Sequence, residues 1–206
     1  MHRRTALSVS AALLLAAPLL SACSGQARPG TAAVIGGERI TTSAVQAQVN
    51  DVRAAQNRSE HPSELIAAVP QLDRVKLSGM LQSRILDRMA EDAGISVTPK
   101  ELEEERQTFE NDKGAEAFEA TLLQKFAIAP DQIDRWATDQ VLFTKLNAKY
   151  GQGNLAEPAS KAAGKLGIEV NPRYGVWDPQ KVSIGDSVTP WITQVTRPEQ
   201  QPPAGA

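Results

Sequence analysis

The chain has 206 residues, with 22 lysines and arginines, 24 aspartates and glutamates, and a formal net charge of −2. This length suits one domain, or one domain with a tail. No basic cluster is dense enough to indicate nucleic-acid binding, and one cysteine cannot form an internal disulfide or a cysteine metal site.

The first 22 residues have the layout of a bacterial export signal. Two arginines precede an apolar stretch over residues 6–20, and two small residues precede Cys23. This cysteine fits the lipobox of bacterial lipoproteins, in which the thiol takes a diacylglycerol before cleavage. The apolar stretch is short for a bilayer span and contains a proline, which disfavours an uncleaved anchor. We therefore expect a signal peptide over 1–22 and a lipid anchor at Cys23, with an ordinary cleaved signal as the alternative.

The next segments predict a tether, a hairpin and a helix. Residues 23–32 are mostly small and polar, which is typical of a flexible tether. Two β-prone pieces then flank Gly36-Gly37, a suitable two-residue turn because glycine accepts positive φ. Thr41 or Thr42 can cap a helix to about residue 56, in which valines recur at three- and four-residue spacing.

Residues 58–71 contain two prolines, and we predict mostly loop there. A longer helix is predicted over residues 72–93, with Gly94 as its left-handed cap. The next helix has a clear start, because Thr98 is followed by Pro99 and, three residues after the cap, by Glu101.

Four glutamates crowd the beginning of that helix, at Glu101, Glu103, Glu104 and Glu105. Such a cluster can suggest a metal site or acid–base chemistry. The helix dipole favours acidic residues in the first turn, and charge runs are usually solvated. We therefore interpret the cluster as an exposed helix start.

Three further helical regions and two extended pieces follow. After Gly114, a helical stripe contains Phe118, Leu122 and Phe126, and Pro130 repeats the start pattern of Pro99 before a helix over residues 131–149. A short helix is predicted over 158–166, and extended pieces over 168–170 and 174–177. Polar, proline-rich residues at the end predict a mostly disordered tail over 184–206, in which Trp191 has no assigned place.

The order of these elements resembles the N-terminal module of SurA-type and PrsA-type extracytoplasmic chaperones. Residues 32–41 (AAVIGGERIT) are similar to the opening hairpin and helix cap of those modules. Residues 85–102 (ILDRMAEDAGISVTPKEL) resemble their long helix, glycine turn and next capped helix. Residues 171–175 (NPRYG) are similar to a stretch found in lipoproteins of this group.

The resemblance implies client binding without a catalytic domain. SurA-type and PrsA-type proteins also carry parvulin domains, which are peptidyl-prolyl isomerases, and the chain between residues 131 and 171 is too short for one. The parvulin site is a polar cluster with histidines, whereas only His61 would remain after signal cleavage. Isomerase activity is therefore not carried over to this chain.

We predict a mainly α fold that resembles the SurA N-terminal domain over residues 33–183, with a short β-hairpin or sheet joining its two ends. The hairpin would pair with a strand near 168–170 or 174–177. An adaptable apolar surface suits extended clients of many sequences. Such a surface can include five large apolar residues, for which core packing is the alternative: Met80, Met89, Trp136, Phe143 and Trp177.

Together with the predicted lipid anchor, the resemblance implies a lipid-anchored chaperone at the extracytoplasmic face of the cell membrane. Its partners would be unfolded or extended secreted proteins, with no nucleic acid, cofactor or metal and no need for ATP. A second interpretation is a tethered scaffold that holds one defined envelope partner. An isomerase or hydrolase is the least favoured class, because no catalytic constellation is found.

Overall fold

A computed structural model of the chain describes residues 29–186, without the side chains of Asp112 and Lys113. Within these residues the fold is mainly helical, as predicted, and it contains two small antiparallel sheets. The α-helices in chain order are α1 (Thr42–Arg58), α2 (Pro62–Ala68), α3 (Leu72–Ala93), α4 (Pro99–Lys113), α5 (Ala115–Phe126), α6 (Ile133–Tyr150) and α7 (Ala156–Leu166). The predicted signal peptide, Cys23 and most of the predicted tether and tail, with Trp191, lie outside the described residues.

The first sheet joins the two ends of the described fold. Its strands, in spatial order, are β2 (Glu38–Thr41), β1 (Thr31–Ile35) and β3 (Glu169–Val170). Both pairings are antiparallel, and Ala33 of β1 lies opposite Val170 of β3. The predicted hairpin and its pairing with the chain near residues 168–170 are therefore confirmed.

A second sheet consists of β4 (Val176–Asp178) and β5 (Ser183–Gly185). The extended piece predicted over 174–177 therefore pairs with β5 and not with the hairpin. The ordered strands extend past the limits we predicted for the domain, 33 and 183, because Thr31 and Ala32 are buried in β1 and Ile184 is buried in β5.

Most helix boundaries follow the local signals in the sequence. The Thr41 hydroxyl caps α1 by accepting from the backbone N–H of Ala44, at 3.0 Å. The helix α3 covers the predicted residues 72–93, and Gly94 ends it in the left-handed region with a φ of 67°. Both predictions are confirmed.

The helix α2 occupies part of the 58–71 segment that we predicted to be mostly loop. Pro62 lies at its first position, where the N–H that proline lacks has no intrahelical partner. The Arg53 guanidinium of α1 donates to the carbonyl oxygens of Ile66 and Val69, at 3.4 and 3.1 Å. These hydrogen bonds satisfy carbonyl groups that have no donor within the helix, because they lie at its C-terminal end. Local sequence patterns do not reveal such contacts.

The helix start predicted at Pro130 differs from the one at Pro99. A single 3-10 turn (Pro130–Gln132) comes before α6, which therefore begins two residues later than predicted. The hydroxyl of Thr98 caps α4, whereas Ala129 has no side-chain acceptor for the same role. The missing hydroxyl explains why the α-helix does not begin directly at Pro130.

The helix α3 is central to the packing, and it contacts α1, α6, α7, β1 and β5. Leu77 and Leu81 of α3 are fully buried beneath the first sheet. Their apolar neighbours in this core are Ala32, Ala33, Ile35, Ile40, Val45, Tyr174 and Ile184. The two ends of the domain are thus joined by main-chain pairing and by a common core.

We expect Thr98→Ala to lower the free energy of unfolding by about 1 kcal/mol, because it removes a helix cap. The Thr98 hydroxyl accepts from the Glu101 N–H at 3.3 Å, and the Glu101 carboxylate accepts from the Thr98 N–H at 2.9 Å. Urea denaturation measures the change. Thr108→Ala is a matched control in the interior of the same helix, where alanine is a better helix former. Equal midpoints for Thr98→Ala and the parent would contradict the role of the cap.

Candidate functional site

The residues predicted to contact clients do not form one surface. Met89 is only 3% exposed and packs with Leu146 in the cluster beside α7. Met80 and Trp177 are half-buried against the core beneath the first sheet. For these three side chains, the structure shows the core packing that we gave as the alternative.

Trp136 belongs to an aromatic cluster that joins α4 and α5 to α6. Its ring lies 5.0 Å from that of Phe109 and 5.6 Å from that of Phe118, between ring centroids. Phe109 and Phe118 are stacked, with their centroids 5.4 Å apart. Since aromatic pairs at these distances stabilise packing, the position of Trp136 is explained by contacts within the domain.

Phe143 is the predicted contact residue that the structure leaves open, with 48% of its surface exposed. It lies on α6, seven residues after Trp136, and therefore on nearly the same side of the helix. Phe126 is 55% exposed at the last residue of α5, whereas Phe118 and Leu122 of the same predicted stripe are buried. The last ring of the stripe therefore lies at the end of the helix, where Ala127 is the cap.

The exposed phenylalanine at residue 126 was not among the predicted contact residues. Its spacing from Phe118 and Leu122 placed it only on the same helical stripe as those residues. A signal that could have identified it is its distance from the next proline, since a helix that begins near Pro130 requires α5 to end close to Phe126. Val75 and Val176 are also exposed, at 43% and 54%.

The acidic start of α4 forms ion pairs with α6. Glu101 contacts Lys145 at 2.5 Å, and Arg106 contacts Asp134 at 2.7 Å, so the two helices run in opposite directions. The hydrogen bond from Lys145, with those from Thr98, lowers the pKa of Glu101 to about 2. Its place in the helix start therefore explains this glutamate without a metal site or acid–base chemistry.

A second group of polar side chains joins α3 to α6. The Ser83 hydroxyl donates to the Asp139 carboxylate, and the Arg135 guanidinium donates to Asp87 at 2.9 Å. Arg135 also contacts Asp139 at 2.7 Å. Burial raises the pKa of Asp139, although Ser83 and Arg135 favour its charged form. This group contains a serine beside a carboxylate but no histidine that could act as the base of a catalytic triad. We therefore interpret it as a polar contact between α3 and α6.

A cleft of about 470 Å³ lies among the C-terminal parts of α3 and α6 and the helix α7. Its charges are partly paired within the domain, since Lys165 contacts Asp92 at 2.8 Å. This hydrogen bond from Lys165 lowers the pKa of Asp92. Other side chains along the cleft are Met89, Tyr150, Asn154, Glu157 and Lys161. The cleft suits a polar ligand more than an apolar chain.

The described residues do not show a metal centre. His61 is exposed directly before α2. Among residues 29–186, no three histidine, cysteine, aspartate or glutamate side chains are grouped so that they could hold a metal ion. Over the same range, every helix is too short or too polar to cross a bilayer.

Comparison with known proteins identifies the module. A family model described as the SurA-like N-terminal domain matches residues 3–147, which include the hairpin and most of the chain up to the end of α6. No parvulin family was detected in the chain. No curated protein and no solved structure matches the chain. Because the match covers more than half of the sequence, the chain belongs to the family of SurA-like N-terminal domains.

Proposed function

We propose that this chain is a membrane-anchored, extracytoplasmic chaperone-like lipoprotein that binds unfolded or extended proteins without ATP. The match to the SurA-like N-terminal domain carries the proposal, because this is a chaperone-like module family. Phe126 and Phe143 supply the surface chemistry, since each presents about half of an aromatic side chain to solvent. They are the binding residues that we assign.

Half-exposed rings suit a weak and tolerant binding surface. A client side chain that covers such a ring removes apolar area from water, at roughly 25 cal/mol per Å². Aromatic rings accept many apolar partners, so this surface need not select one sequence. The ordering of an extended client opposes binding and keeps the affinity moderate.

Anchoring at Cys23 rests on the sequence. The described fold begins with β1 at Thr31, eight residues after Cys23, and a chain of that length spans at most about 29 Å. A lipidated Cys23 would therefore hold the domain near the membrane surface. A client that emerges on that side would meet the exposed phenylalanines at a high local concentration.

The second candidate is a scaffold for one defined envelope partner. The cleft beside α7 favours it, because charged groups of both signs surround a cavity of about 470 Å³. Charged and polar groups at fixed positions select a partner more strictly than exposed aromatic rings do. Client range distinguishes the two candidates, since a scaffold would leave unrelated unfolded proteins unbound.

The double substitution Phe126→Ser and Phe143→Ser tests the assigned surface. We expect affinity for a labelled, permanently unfolded protein to fall about tenfold, because two apolar contacts of roughly 0.7 kcal/mol each are lost. Fluorescence anisotropy titration measures the affinity. Thr144→Ser is a control at an exposed neighbour of Phe143. Unchanged affinity in a double variant that unfolds at the same urea concentration as the parent would show that clients bind elsewhere.

A further inference from the structure

The chain enters the described fold at a point that hydrogen bonds hold from two sides. The Arg39 guanidinium of β2 donates to the carbonyl oxygen of Pro29 at 3.2 Å and to the Thr31 hydroxyl at 3.0 Å. From beyond β3, the Asn171 side-chain amide donates to the Thr31 carbonyl oxygen at 2.9 Å. The place at which the chain from Cys23 reaches β1 is therefore set by the first sheet.

Two exposed arginines lie on either side of this entry point. Arg39 belongs to β2, and Arg173 follows the end of β3 by three residues. The Arg173 N–H donates to the Asn171 side chain at 3.0 Å, and Asn171 in turn contacts Thr31, so the backbone of Arg173 lies close to the start of β1. We call the two arginines, together with Pro29 and Thr31, the basal surface.

Both guanidinium groups have unused N–H donors. Arg39 uses Nε and one Nη within the fold, and the Arg173 guanidinium lies 6.0 Å from the centre of the Tyr174 ring. Neither group contacts a carboxylate in the part of the chain that the structure describes. A guanidinium with free N–H groups is a good phosphate ligand, because its planar donors match two phosphate oxygens.

The carboxylates of the first sheet leave the basal surface with a net positive charge. Its strands contain two, at Glu38 and Glu169. Glu38 contacts Arg84 of α3 at 3.2 Å. Glu169 is opposite Val34, three residues along β1 from Thr31, and it offsets at most one of the two arginines. The chain as a whole has a formal net charge of −2, so this positive charge is local.

The lipid anchor that we propose is close to the basal surface along the chain. Cys23 comes six residues before Pro29, so their Cα atoms are at most about 22 Å apart. A linker of this length keeps the basal surface at a high effective concentration near the lipid headgroups. A weak attraction then suffices to orient the domain.

We propose that the basal surface docks on the membrane that holds the anchor, with Arg39 and Arg173 against the phosphate groups of anionic phospholipids. The inference rests on the lipid anchor of the proposed function, and it adds the face that the domain turns toward the lipid. The helix α1 begins beside this surface, because the Thr42 N–H donates to the carbonyl oxygen of Gly30 at 2.8 Å. The other end of α1, at Arg58, lies about 24 Å along the helix and therefore outside the basal surface.

Vesicle binding of a chemically acylated chain tests the docking, and its result does not depend on lipidation in cells. Residues 23–206, which contain every described element, are coupled through the Cys23 thiol to the maleimide of a single myristoyl-length chain. One acyl chain binds membranes only marginally, so a further attraction shows directly in the partition coefficient. We expect sedimentation to show about tenfold stronger partition into vesicles of phosphatidylcholine with phosphatidylglycerol than into phosphatidylcholine alone.

Substitutions separate the basal surface from the rest of the chain. Arg39→Gln and Arg173→Gln should each lower partition into the anionic vesicles about fivefold and leave partition into neutral vesicles unchanged. Arg39→Lys should retain most of the binding, because it keeps the charge while it changes the hydrogen bonds to Pro29 and Thr31. Arg58→Gln is the matched control, because it makes the same change in net charge at an exposed arginine outside the basal surface. It should bind as the parent does.

Equal partition of the parent into both kinds of vesicle would overturn the proposal. So would an equal loss for Arg58→Gln, since the net charge of the chain would then account for the binding. Absence of fatty-acid labelling in cells would instead refute the proposed anchor, and it would leave both vesicle results unchanged. The failure of the docking and the failure of the anchor are therefore distinguishable.

Discussion

Replacement of Cys23 by serine is expected to abolish lipid labelling of the chain completely. The cysteine thiol is the group that a diacylglyceryl transfer requires, and this is the only cysteine in the sequence. Stable anchoring takes two acyl chains, because a single chain binds membranes only marginally. Labelling of growing cells with a radioactive fatty acid, followed by isolation of the chain, measures the effect.

The neighbouring substitution Ser24→Ala is the control, since it changes the residue after the cysteine and keeps the thiol. It should retain the label. Cell fractionation adds a second readout, because the serine variant should either leave the membrane or keep its uncleaved apolar signal. Undiminished labelling of Cys23→Ser would refute the lipoprotein assignment and favour an ordinary export signal.

The second large effect is expected at a buried polar junction of three elements. Lys76 of α3 is only 8% exposed, and its ammonium donates to the side-chain oxygen of Gln132 at 2.6 Å. The Gln132 amide nitrogen donates to the carbonyl oxygen of Gln48 in α1, at 3.0 Å. Burial lowers the pKa of Lys76 to about 8, against the opposing influence of Asp51.

We expect Gln132→Ala to lower the free energy of unfolding by about 3 kcal/mol, because it leaves a buried ammonium without its acceptor. Urea denaturation at neutral pH measures the loss. Gln82→Ala on the exposed face of α3 is the control and should have little effect. In the Lys76→Met background, Gln132→Ala should cost much less, since no ammonium remains unpaired. Equal losses in the two backgrounds would contradict the proposed coupling.

The parts of the fold that local chemistry determines could be predicted from the sequence. A threonine, a proline and a glutamate at fixed spacing specify the start of α4 without help from the rest of the chain. Gly36 and Gly37 both adopt positive φ, so their sequence alone indicates the turn between β1 and β2. The family itself was also indicated, because these local signals occur in the order that the SurA-like module requires.

Tertiary contacts decide what the sequence did not indicate. The short helix α2 depends on hydrogen bonds from Arg53, which comes from another element. The second sheet depends on β5. Ile184 of this strand is buried in the core beneath the first sheet, and its carbonyl oxygen accepts a hydrogen bond from Arg74. Neither Arg53 nor Arg74 carries a local pattern that distinguishes it from a solvated arginine.

Tertiary packing also determines which of the predicted client-contact residues are exposed. Met89 and Phe143 are both large apolar residues on the inner helices, and the sequence places both among candidate contacts. The packing of α6 and α7 buries Met89, while no described element covers Phe143 to the same extent. Which apolar side chains remain on the surface follows from how the helices pack, and that depends on contacts far apart in the sequence.

Client binding by this SurA-like domain without ATP can be measured as suppression of protein aggregation. Several unrelated, chemically unfolded proteins are diluted with and without the purified chain, and their aggregation is followed by light scattering. We expect suppression of scattering for most of these proteins in the absence of nucleotide, and weaker suppression by the Phe126→Ser, Phe143→Ser double variant. Unchanged scattering for every one of them, at chain concentrations above those of the unfolded proteins, would contradict the proposed function.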